Sequence, residues 1–124
     1  MDKHITAKVT DIVGTHIYNS DGEHCGCIQE IVVNKIAGDV AYLVLSYPGH
    51  FEPSYREKYF AVPFSAFQNK TIENREHNYL LEVDEDFLRN APGFHKSNWP
   101  DFGDARFITE HKDYYKAFQV DFAA

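Results

Sequence analysis

His24-Cys25-Gly26-Cys27 is the stretch of this sequence whose residue types best suit soft-metal or redox chemistry. Thiolate and imidazole are the ligands that zinc favours, but a structural zinc site needs four of them. The chain has only these two cysteines, and no paired-histidine motif completes a set. On a straight strand the two thiols would share a face about 7 Å apart, too far for an unstrained disulfide unless the backbone bends at Gly26. The expectation is two small apolar strand residues beside a glycine kink, because free cysteine packs as a small hydrophobe. No metal and no cofactor is expected. The alternative reading is a ligand- or metal-responsive stress protein that uses His24, Cys25 and Cys27 or a small pocket at one end of the fold.

Other reactive side chains form no catalytic pattern. The seven histidines make no HxH or HExxH spacing and mostly keep polar company. His111 differs, because it falls on an aromatic helical stripe, where a hydrogen-bonded histidine at the edge of the core is expected. Asp84-Glu85-Asp86 would suit an acid–base pair or a cation, but three acids at the start of a helix already serve its dipole. Neither a Gly-x-Ser-x-Gly elbow nor a phosphate-binding glycine loop is present. No catalytic residue is assigned, and the expected protein is not an enzyme. Aromatics are more informative. Phe51, Tyr55 and Tyr59, in and just beyond a charged loop, are the candidate interaction surface, since aromatic side chains carry large contact area at low entropic cost; the alternative is that they fold back over one end of their own barrel.

The elements that must position these residues divide the chain at about residue 84. Thr15 to Tyr18 has strand composition, and Asn19-Ser20-Asp21-Gly22 suits a reversal. Gly26 to Asn34 forms the second arm, and the broken parity between Ile28 and Ile31 predicts a bulge or a strand covered on both faces. Ala37-Gly38-Asp39 turns the chain into Val40 to Tyr47, the strongest strand signal and a central one. Lys58 to Val62 ends at Pro63, which lacks a ladder donor and opens a turn to Phe67. A last hairpin is expected from Lys70 to Glu73 and from Tyr79 to Val83. Asp84 to Ala91 predicts a short helix stopped by Pro92-Gly93. Asp104 is placed to cap a second helix, striped by Phe107, His111, Tyr114 and Phe118.

Composition sets limits. With 124 residues and 44% hydrophobic content, the chain suits one domain, with the β-rich part at about 6–84 and an aromatic tail at about 85–124. The net charge of -7 excludes electrostatic capture of nucleic acid, which needs clustered Lys and Arg. No apolar stretch approaches the roughly 20 residues of a membrane helix. The first residues, MDKHITAKVTD, hold no apolar leader core, so a cytoplasmic protein is expected.

Five segments in order carry a family resemblance: Tyr18-Asn19-Ser20-Asp21-Gly22-Glu23, the run from Gly26 to Asn34, the run from Gly38 to Ser46, Phe60-Ala61-Val62-Pro63-Phe64, and the tail Asn90-Ala91-Pro92-Gly93-Phe94 with Asn98-Trp99-Pro100. Together they resemble the PRC-barrel family, in particular a stand-alone bacterial branch similar to the cytoplasmic part of the photosynthetic reaction-centre H subunit. The resemblance implies a mainly β fold, a small, highly bent antiparallel barrel of five to six strands with short C-terminal helices. It also implies a docking or regulatory module rather than an enzyme. The sequence departs from the family pattern at Phe64, where Trp is frequent, at Cys25, where a larger aliphatic is usual, and in the charged loop from Phe51 to Glu57. The expected function is a protein-interaction or assembly module, working as a homodimer through its aromatic surface.

Overall fold

The computed structural model describes residues 8–46, 58–67 and 81–116. Among the described residues five antiparallel strands follow one another in chain order: β1 (His16–Tyr18), β2 (His24–Asn34), β3 (Asp39–Ser46), β4 (Lys58–Pro63) and β5 (Phe94–His95). Three short helices accompany them in those residues: α1 (Val9–Ile12), α2 (Glu85–Arg89) and α3 (Ala105–Tyr114), with a 3-10 turn at Phe64–Ala66. The fold is mainly β, as expected. Among the described residues the sheet does not close into a barrel: β1 and β5 are its two edges. The expected hairpin arm at Lys70 to Glu73 lies outside the described residues, as does Phe118. Of the other arm only 81–83 are described: Leu81 donates its N–H to the Tyr18 carbonyl at 3.2 Å, but these residues are not part of a strand.

The reversals after β1 and β2 are each held by a side chain that replaces missing backbone partners. After β1, Asn19 Oδ1 accepts the N–H groups of Asp21 and Glu23 at 3.0 and 2.9 Å. Its Nδ2 donates to Glu23 Oε1 and, across the fold, to the Val83 carbonyl. Asn19 is therefore buried, and its amide is satisfied on both sides. After β2, Asn34 Oδ1 accepts from Ile36 and Ala37, both at 3.0 Å, and Gly38 turns the chain at φ +76.

The long apolar run of β3 reflects burial on both faces of the sheet. Leu43 and Leu45 enter a main core with Ile17, Ile28, Phe60, Val62, Leu88 and Tyr115. Tyr42 and Val44 enter a second one with Ala61, covered by Tyr59, Phe94, Phe102 and Phe107. β4 alternates between the two cores. The tail thus folds back onto the sheet of its own chain. Tyr42 meets Phe107 edge-on at 5.6 Å, and Phe102 meets Phe107 at 5.2 Å, a geometry aromatic quadrupoles favour.

Caps fix both tail helices where the sequence predicts them. Asp84 accepts from the Phe87 N–H at 2.8 Å and Asp104 from the Arg106 N–H at 2.8 Å. α2 ends at Arg89, short of the expected Ala91, where Lys58 Nζ donates to the Arg89 carbonyl at 3.1 Å. Two elements go beyond the sequence reading. α1 is a four-residue helix whose Ile12 packs on the main core. β5 occupies the two residues after Pro92-Gly93 and pairs with Lys58 and Tyr59.

Candidate interaction surface

The region about Gly26 decides what the two cysteines can do. Gly26 sits at φ +140, and β1 pairs with β2 through a bulge that sets His16 opposite Cys27, Ile17 opposite Gly26 and Tyr18 opposite His24. Cys25 is the extra residue. It turns into the main core with Ile17 and Ile28, whereas Cys27 is half-buried opposite exposed His16. The straight-strand expectation, two thiols on one face, is corrected: the bulge breaks the parity between them. Both are free. Burial, reinforced by the charges of Glu23 and Glu82, pushes the Cys25 thiol up to about 12. Cys25 is thereby held as a thiol at neutral pH, without the thiolate that nucleophilic attack requires. Among the described residues, no three His, Cys, Asp or Glu side chains gather as metal ligands.

His111 occupies the place its stripe predicts, buried with its ring stacked on Phe107 at 3.8 Å and edge-on to Tyr42 at 6.0 Å. Its Nδ1–H donates to the Phe107 carbonyl at 3.0 Å, and its Nε2 is buried with no partner. Burial lowers its pKa, against smaller opposing effects from that carbonyl and from Glu110. Protonation would place an unpaired N–H of a cation in the core. The unfolded chain protonates first, so the stability that neutral His111 contributes is fully present above the ordinary imidazole value of 6.5. It is lost as pH falls through that value toward the lower folded one. Thermal melts from pH 7.5 to 5 are expected to show a steeper loss of stability for the wild type than for His111→Gln. Parallel curves would mean that His111 is not the group responsible.

Of the expected surface, Phe51 and Tyr55 lie outside the described residues. Tyr59 is half-buried on β4, edge-on to Phe94 at 6.3 Å and to Trp99 at 5.9 Å. Its ring therefore covers the second core.

Another surface was not singled out by the sequence. A groove of about 500 Å³ runs between the β2–β3 hairpin and α3, lined by Val32, Val33, Tyr42, Phe102, Ile108 and Lys112 among others. Its rim is apolar: Val33 and Ile108 are 55% and 42% exposed. Beside it, in the turn held by Asn34, Ile36 is 99% exposed. Val33 and Ile108 face one groove, and Ile36 follows Val33 by three residues in the turn that ends its hairpin wall, so these exposed aliphatics are not scattered singly. Alternation on β2 gave one signal, since Val32 and Val33 are both apolar and one must face outward. Ile36 gave the other, a large aliphatic in a four-residue turn.

Comparison with known proteins gives a single family finding. Residues 5–88 match the family model described as PRC-barrel domain. A search of curated proteins finds no match. The matched span takes in β1 to β4 and most of α2, and the tail that builds the second core lies beyond it.

Proposed function

The chain belongs to the PRC-barrel domain family, and on that premise we propose that it is a non-enzymatic interaction and assembly module that pairs with a second copy of itself. A knob beside a hollow carries this reading. Fully exposed Ile36 and the apolar groove are placed on the same hairpin. A twofold axis lets each copy seat its Ile36 in the other's groove, which is the self-complementarity an isologous interface requires. The valine, aromatic and isoleucine side chains of the groove supply contact area, with Asn34, Ser65 and Lys112 as its polar members.

The finer assignments are part of the same proposal. The chain stands with the stand-alone bacterial branch similar to the reaction-centre H subunit, on the strength of Asn90-Ala91-Pro92-Gly93-Phe94 and Asn98-Trp99-Pro100. It works in the cytoplasm and takes no direct part in nucleic-acid binding, in keeping with its charge of -7. The loop carrying Phe51 and Tyr55 is its surface for a further protein. Light scattering across a concentration series tests the pairing. A mass twice that of one chain is expected at the upper end, and a strict monomer throughout contradicts it.

A further inference from the structure

Two imidazoles meet on the outward face of the β1–β2 hairpin. His16 and Tyr18 are exposed on β1 while Ile17 between them is buried. The register sets Tyr18 opposite His24 and His16 opposite Cys27, so all four side chains share that outer face. The bulge draws the diagonal pair together: His16 Nδ1 and His24 Nε2 are 2.9 Å apart, with ring centroids at 4.9 Å. The Tyr18 ring flanks His24 at 5.3 Å.

Two neutral imidazole nitrogens this close share one proton, one nitrogen donating and the other accepting. Each ring can carry its proton on the other nitrogen, which leaves a lone pair on each of the two adjoining nitrogens and removes no proton from the pair, and a turn of the exposed His16 ring aims both at a common ion. A metal ion binds imidazole nitrogen at about 2.0–2.1 Å. Two such bonds at a right angle set their nitrogens roughly 2.9 Å apart, whereas a tetrahedral angle sets them at roughly 3.3 Å. The observed separation is that of two adjacent ligands on a square. Tetragonal nitrogen–oxygen coordination suits copper(II) and nickel(II), and imidazole suits both.

We propose that His16 Nδ1 and His24 Nε2 form a bidentate surface site for a divalent transition metal ion with tetragonal preference, water filling its other positions. No third ligand gathers there among the described residues, so the ion is exchangeable and the fold does not depend on it. The site is separate from Cys25, which is buried in the main core, and it differs in its ligands from a zinc site built on the two cysteines.

Nickel(II), which leaves thiols unoxidised, is the probe. Calorimetric titration of the folded protein at pH 7.5 is expected to show a first equivalent whose affinity falls about tenfold or more in either His16→Gln or His24→Gln, since even losing an outer-shell partner costs that much. Cys27→Ser is expected to bind as the wild type does. Copper(II) added to Cys27→Ser should show electron paramagnetic resonance coupling to two nitrogens, reduced to one in His16→Gln. Equal affinity in the wild type and both histidine variants would assign the binding to other histidines and overturn the proposal, as would its loss in Cys27→Ser alone. His16 is exposed, so its variant tests the site without touching the core.

Discussion

Val44→Asp is expected to abolish folding. Val44 is fully buried at the centre of β3, in the second core with Tyr42 and Ala61 and beneath the aromatics of the tail. A carboxylate there meets no cation, and a buried charge without a partner is among the most expensive of substitutions. The loss, on the order of 4–5 kcal/mol or more, takes up most of what holds a domain of this size together. Circular dichroism should show no cooperative melting transition for the variant. A transition within a few degrees of wild type would mean that the tail does not seal that face of the sheet. The position is diagnostic because Val44 belongs to the matched part of the chain while its cover comes from the tail beyond it. Unfolding of Val44→Asp would show that the tail is integral to the domain.

Gly26→Ala is expected to have the second-largest effect. At φ +140 a side chain is strained wherever it points, and here it also has nowhere to go: a Cβ would stand 2.5 Å from the Ser46 carbonyl oxygen and 3.3 Å from Leu45 Cβ. Ser46 is backbone of the neighbouring strand, so relief requires β2 and β3 to separate at the bulge. A loss of about 3 kcal/mol follows from the strain and the clash together, with a melting temperature lower by about 10 °C. Gly38 provides the control, having positive φ but nothing within 4 Å of an added Cβ. Gly38→Ala should cost clearly less. Equal losses at the two positions would show that strain alone acts and that the close approach to Ser46 is not what Gly26 is for.

Much of this fold was legible in the sequence because the relevant signals are local. The turn residues at 19–22 and 37–39, the caps Asp84 and Asp104 and the apolar run of β3 each act within a few residues of themselves. What escaped depends on partners distant in the chain. Asn19 reads as a turn former, but its burial comes from Val83. Phe94 and His95 are too few to show a period, and they become a strand only because β4 offers an open edge. Tyr115 lies next to the aromatic stripe rather than on it, yet it is fully buried in the main core. Cys25 and Cys27 follow strand periodicity on paper, and a one-residue bulge sends them different ways. The candidate groove was illegible for the same reason: the hairpin that forms one wall and the helix that forms the other are separated by about half of the chain.

Self-association through the hairpin and α3 is the central claim, and Ile36→Lys tests it most directly. Ile36 is almost wholly exposed, so the substitution leaves the folded chain's packing intact and its melting temperature should stay within a few degrees of wild type. Seated in the groove, a lysine would have to shed its water beside the like charge of Lys112, with no acidic side chain in the lining to pair with. Sedimentation velocity over a dilution series should therefore show a wild-type dimer and an Ile36→Lys dissociation constant at least about tenfold weaker, a difference of roughly 1.4 kcal/mol. Identical dissociation constants for the two proteins, or a wild type that is monomeric at every concentration, would contradict the account.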